Sequence, residues 1–95
     1  MRRRFLVLYD ISSPQRLRKI HKTMKAYGLP LQLSVFLCRL GAADRVRMEG
    51  DVREHLNGQQ DQAIIIDLGP ESTADLPMTV LGRPALPEPD RIVVF

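Results

Sequence analysis

FLVLYDISSPQRLRKIHKTMKAYGLP, residues 5–30, carries the first half of the fold. Phe5 to Tyr9 is an unbroken run of β-branched, aromatic and leucine residues, which suits a central strand covered on at least one face. Asp10 ends it. Ser12 and Ser13 offer a helix N-cap, Pro14 fits the first helical turn, and Gln15 stands at capping-box spacing from Ser12. Leu17, Ile20, Met24 and Tyr27 then recur at helical spacing, as a core-facing stripe does. Gly28 suits the position after a helix and Pro30 blocks its continuation, so the first helix is expected from Pro14 to about Tyr27.

Outward from there, Leu31 to Leu40 reads as extended, either one bent strand or a tight pair. Leu31, Leu33, Val35 and Leu37 would share one face, and Gln32, Ser34, Phe36 and Cys38 the other. A second helix is expected from Ala43 to Leu56, closed by Asn57-Gly58, followed by a buried strand from Ala63 to Leu68. A loop from Gly69 to Pro77 leads to a short strand, Thr79 to Leu81, and a turn at Gly82. Residues 1–82 therefore read as one domain and 83–95 as an arm. The arm has a stretch, Arg83 to Pro89, stiffened by three prolines, and then a strand-like tail, Arg91 to Phe95. Such a tail must pair with a sheet edge, either its own or a partner subunit's.

Strand, helix, extended segment, helix, strand gives an α+β sandwich with both helices on one sheet face. The other face would be open in a monomer, and two such sheets could bury it against each other. A chain of 95 residues builds only a marginal core. The single cysteine, Cys38, excludes an intrachain disulfide and fits a reducing compartment. Zinc-ligand spacing is absent, which leaves oligomerisation as the natural supplement.

The apolar run after Arg2, Arg3 and Arg4 is too short for a signal peptide and ends in a carboxylate, so a cytoplasmic protein with no membrane partner is expected. The net charge of +3 hides an asymmetry. Residues 1–40 hold nine basic side chains against one acid, or +8, while residues 41–95 hold five against ten, or −5. A polyanion is the partner such a positive half would attract. Arg16, Arg18, Lys19, Lys22 and Lys25 crowd the first helix, with no acid between Pro14 and Tyr27. Phosphate would relieve their mutual repulsion. Three Phe and two Tyr are too few for recognition by base stacking, which leaves backbone contact.

A strand-end carboxylate such as Asp10 is either a cap or a metal and catalytic position, because the sheet fixes it while the loop keeps it accessible. Mg²⁺ usually takes one or two protein carboxylates and completes its shell with water and phosphate oxygens. One Asp10 per subunit would suffice if a two-fold axis joined two copies. His21 and His55 lack ligand spacing and read as packing or surface residues. Ser34 and Phe36 read as part of a mixed strand face. There is no glycine-rich phosphate loop and no nucleophile elbow.

Together, Tyr9-Asp10-Ile11, Arg16-Leu17-Arg18-Lys19, Tyr27-Gly28, Gln32 through Cys38, Asp61 before the apolar strand, and Val80-Leu81-Gly82 resemble the CRISPR-associated protein 2 family over nearly the whole chain. Gln62 departs from the small hydroxyl residue usual there, and the N-terminal arginine cluster is an addition. The resemblance implies a ferredoxin-like βαββαβ sandwich with an additional C-terminal strand that crosses to the partner of a face-to-face homodimer. It implies Asp10 as the catalytic and metal-binding residue, holding Mg²⁺ or Mn²⁺ at the dimer axis, with Tyr9, Ser34 and Phe36 supporting the site. Arg16, Arg18, Lys19 and Lys22 would bind nucleic acid. Two activities follow from the family: a metal-dependent endonuclease on RNA or DNA, and a scaffold for spacer acquisition that holds double-stranded DNA between dimers of the CRISPR-associated protein 1 integrase. An RNA-cleaving toxin of similar fold is a third. The residues alone do not rank the first two.

Overall fold

The apolar run Phe5–Tyr9 lies within β1 (Arg3–Asp10), an inner strand of a four-stranded sheet in a computed structural model that describes residues 1–72, 74 and 76–84. α1 (Pro14–Lys25), β2 (Gly28–Gln32), β3 (Val35–Leu40), α2 (Ala42–His55) and β4 (Gln62–Pro70) follow in that order. The sheet order is β2-β3-β1-β4, and every neighbouring pair is antiparallel. β1 and β2 therefore run the same way with β3 between them, and β3 and β4 run the same way around β1, the split βαβ arrangement.

Strand alternation assigns the two faces. Phe5, Val7 and Tyr9 from β1 and Phe36, Cys38 and Leu40 from β3 are buried against Ile20 and Met24 of α1 and Met48 and Val52 of α2. Leu17 and Tyr27 pack at the margin of that core, as the helical spacing predicts. On the opposite face, Leu6 pairs with Leu37 and Ile66, and Leu8 with Val35 and Ile64. Nothing among the described residues covers Ile64 and Ile66 fully; they remain 45% and 43% exposed.

Several local expectations change. The cap of α1 is Ser13, whose hydroxyl accepts from the Arg16 N–H at 3.3 Å; Ser12 is engaged elsewhere, and no capping box forms. The helix ends at Lys25, with Ala26 as its C-cap in right-handed geometry. Gly28 is thus not a left-handed helix terminator but the first residue of β2, opposite Cys38. A β-carbon there would lie 2.5 Å from both Cys38 Sγ and the Leu37 carbonyl oxygen, so glycine permits the strands' close approach. The extended segment is the tight pair rather than one bent strand. Its turn at Leu33 and Ser34 leaves Leu33 65% exposed and makes Phe36, Cys38 and Leu40 the core face of β3.

The short strand expected from Thr79 to Leu81 is absent: these residues find no ladder partner among those described and have no regular structure. With Met78 they line an open groove of about 750 Å³ against Leu31 to Val35, and Leu81 is 86% exposed. The tail from Arg91 to Phe95, and most of the arm before it, lie outside the described residues. Among those described, no helix is long and apolar enough to cross a membrane.

Candidate active site at the end of the sheet

Asp10 is the last residue of β1, and its cross-strand partner is Gln62, the first residue of β4. Because Tyr9 points into the helix-covered core, alternation directs Asp10 to the uncovered face that carries Leu6 and Leu8. Both Asp10 and Gln62 are exposed. The Asp10 carboxylate makes no hydrogen bond or ion pair with any described residue, so it does not serve as a cap. It is held by the sheet, accessible, and uncommitted.

The loop beyond Asp10 is clamped by a different carboxylate. Asp61, whose side chain has 0% exposure, accepts five hydrogen bonds. The Ser12 N–H and hydroxyl donate to Oδ1 at 3.0 and 3.2 Å, the Asn57 N–H to Oδ2 at 2.9 Å, and Arg16 forks across both oxygens at 2.7 and 3.1 Å. Arg16 also donates to the Ser12 hydroxyl and to Gln60 Oε1. The guanidinium and the backbone donors hold the Asp61 carboxyl well below the usual carboxylate range. A buried charge needs such partners, since an unpaired one would be costly.

Tyr9 supports the other side of the strand end. Its N–H donates to the Ser34 carbonyl at 3.0 Å and its hydroxyl to the Leu33 carbonyl at 2.7 Å, which fixes the β2–β3 turn beside β1. His21 Nδ1 lies 2.9 Å from that same carbonyl, and because a carbonyl only accepts, this bond puts the ring proton on Nδ1. The His21 ring meets Phe36 edge-on at 5.3 Å, and Phe36, fully buried, stacks on Tyr9 at 6.2 Å. Burial pushes the Tyr9 phenol up to about 12, so it stays a protonated donor at neutral pH. Tyr9, Ser34 and Phe36 thus converge as scaffold for the strand end.

The basic residues separate into two groups. Arg16 is committed to Asp61, and its charge does not belong to the free surface expected from sequence. Arg18, Lys19, Lys22 and Lys25 are exposed on α1 with no ion pair among the described residues, and the first turn of the helix holds no acid. Asp61 is the residue whose role the sequence left unread; its position before a strand is ordinary, and only the fold brings it to Ser12 and Arg16. His21 reads correctly as a packing histidine, but its bond to the β2–β3 turn is invisible at the sequence level.

No group of three or more His, Cys, Asp or Glu side chains converges among the described residues. A hard divalent cation that keeps most of its water shell needs only one or two carboxylates, and an exposed Asp10 with no ion pair among the described residues fits as one such ligand. A four-stranded antiparallel sheet in the order β2-β3-β1-β4, with two helices on one face and an acid at the end of an inner strand, defines a ferredoxin-like α+β sandwich with a strand-end site. The chain belongs to the CRISPR-associated Cas2 family: the family profile described as CRISPR associated protein Cas2 matches residues 1–75. It is 40% identical over 79 residues to a protein of Rhodospirillum rubrum named CRISPR-associated endoribonuclease Cas2 1, covering 83% of this chain and 78% of that one. A Geobacter sulfurreducens protein named CRISPR-associated endoribonuclease Cas2 is 38% identical over 79 residues, with 83% of each chain covered. The crystal structure of Streptococcus pyogenes Cas2 at pH 6.5 superposes with a TM-score of 0.66 at 30% identity, over 70% of this chain and 86% of the other.

Proposed function

We propose that two copies of this chain pair through the uncovered sheet faces and act as a metal-dependent endoribonuclease of CRISPR immunity in the cytoplasm. The observation that carries the reading is Asp10: exposed, without an ion-pair partner among the described residues, and on the same face as the apolar patch Leu6, Leu8, Val35, Leu37, Ile64 and Ile66. Burying that patch against its symmetry mate would bring the two Asp10 side chains toward one axis. The names of the Rhodospirillum and Geobacter relatives support RNA as the substrate. Asp10 from each subunit would hold Mg²⁺ or Mn²⁺, which supplies an activated water and neutralises the scissile phosphate. The chain's own residues set the geometry. Tyr9 and Phe36 fix the strand, Ser34 ties the neighbouring turn to it, and Arg18, Lys19 and Lys22 hold phosphates along α1.

A second reading rests on that basic surface. Of the aromatic residues among those described, Phe5, Tyr9 and Phe36 are buried and Tyr27 is half-buried, bonded to Asp51, so among the described residues α1 offers charge without a stacking platform. Such a surface suits duplex DNA held by its backbone, as a scaffold for the CRISPR-associated protein 1 integrase requires. The two roles separate when the full chain is incubated with labelled RNA and with duplex DNA, in Mg²⁺ and in chelator. Metal-dependent RNA cleavage supports the nuclease. Retention of uncut duplex, with intact RNA in both conditions, supports the scaffold alone.

A further inference from the structure

We propose that Asp61 is a positioning residue for Asp10, acting through the loop that follows β1; the inference rests on Asp10 being the metal-binding carboxylate of the preceding reading. Asp10 and Gln62 are the last rung of the β1–β4 ladder. Terminal rungs fray, because each has paired neighbours on one side only. Here both chains leaving the rung run into the same carboxylate. On the β1 side, Ser12 is bound to Asp61 through its N–H and its hydroxyl. On the β4 side, Asp61 itself immediately precedes Gln62, and its N–H donates to the Asn57 carbonyl at 2.8 Å.

Arg16 closes the arrangement from α1. Its guanidinium forks across Asp61 and reaches the Ser12 hydroxyl, so the start of the helix, the loop and the base of β4 share one charged knot. The Asn57 N–H brings in the segment that leaves α2. Four segments of the chain therefore meet at one buried carboxylate, beside the loop that begins directly after Asp10. No side chain in this knot hydrogen-bonds or ion-pairs with Asp10, so the coupling runs through the backbone of the loop. Its effect is to keep the last rung closed, so that the Asp10 carboxylate keeps its place on the uncovered face. A ligand held by a single carboxylate from each subunit is sensitive to such placement, because few other protein atoms correct an error in it.

The test is a Mn²⁺ titration followed by electron paramagnetic resonance of the free ion, on the full chain as wild type, Asp61→Asn, Asp10→Asn and the double variant, each checked for folding by circular dichroism. Asp61→Asn should raise the Mn²⁺ concentration for half-saturation by about tenfold, the scale seen when a metal ligand is deprived of its supporting partner. Asp10→Asn should remove the site, and adding Asp61→Asn to it should change nothing further. A merely structural Asp61 would lower the melting temperature and leave half-saturation at the wild-type value, and that result in folded Asp61→Asn overturns the proposal. If Asp61→Asn does not fold, Ser12→Ala, which removes the hydroxyl bonds alone, decides in the same way: a raised half-saturation supports positioning and an unchanged one refutes it. Wild-type Mn²⁺ binding by Asp10→Asn would instead overturn the reading of Asp10, and the inference with it.

Discussion

Arg16 and Asp61, 45 residues apart in sequence, form a forked ion pair with Nε to Oδ2 at 2.7 Å and Nη2 to Oδ1 at 3.1 Å, and the acid is wholly screened from solvent. The pair removes one arginine from the basic face of α1 and commits it to the loop beside Asp10.

That pair makes stability depend on acid. The Asp61 carboxyl is depressed in the folded chain, first by the Arg16 bond and then by the Ser12 and Asn57 donors. An unfolded Asp titrates near about 3.9. The stabilisation is therefore complete above about pH 4 and is lost as pH falls further toward the folded value. Melting curves of wild type and Asp61→Asn should differ most at neutral pH and converge below about pH 4. A gap that stays constant down to about pH 2 would show that the ion pair contributes nothing to the acid limb.

The α1 surface should bind phosphates without Arg16. Replacing Arg18, Lys19 and Lys22 by Ala should weaken duplex binding to a similar degree for all sequences. The salt slope should flatten by about one unit for each phosphate-binding side chain removed. Arg16→Ala should lower the melting temperature and leave that slope near wild type. Filter binding between about 50 and 200 mM salt distinguishes the two. A slope flattened by a full unit in Arg16→Ala would return that residue to the phosphate-binding set.

The uncovered face should hold the subunits together. Ile64→Lys with Ile66→Lys places charges at two half-exposed apolar positions of β4 without touching the helix-covered core. Sedimentation velocity should show a raised monomer fraction with circular dichroism unchanged. An unaltered dimer population would place the interface elsewhere.

Core packing should be least tolerant where β2, β3 and α1 meet. Phe36→Ala empties the volume between Tyr9 and His21 and should cost about 3–5 kcal/mol in urea unfolding. Gly28→Ala forces a β-carbon against Cys38 Sγ and the Leu37 carbonyl, and should cost about 1–3 kcal/mol. A neutral Gly28→Ala would mean that β2 shifts freely along β3.

What the sequence reveals divides by range. β1 and α1 are legible because their signals are local: an apolar run, serines, a proline, and a stripe at Leu17, Ile20 and Met24. β4 is longer than its apolar run because Gln62 and residues 69–70 complete a ladder whose template, β1, is distant in sequence. Thr79 to Leu81 has strand composition but pairs with no strand among the described residues, although β2 and β4 are open sheet edges, so propensity alone misleads. At the site, Asp10 and the basic residues of α1 stand out by type and spacing. Asp61 does not, because its meaning lies in donors from Ser12, Arg16 and Asn57, which only the folded chain assembles.

The most direct test of the central claim is cleavage of labelled RNA by wild type, Asp10→Asn and Asp10→Ala at matched thermal stability, across a Mg²⁺ titration. The Asp10 side chain makes no hydrogen bond or ion pair among the described residues, so both variants should melt within a few degrees of wild type. The account predicts that Mg²⁺-stimulated cleavage falls at least about a hundredfold in both, the scale expected when a catalytic electrostatic group is removed, and that excess metal restores little. Full metal-dependent cleavage by the Asn variant would contradict it.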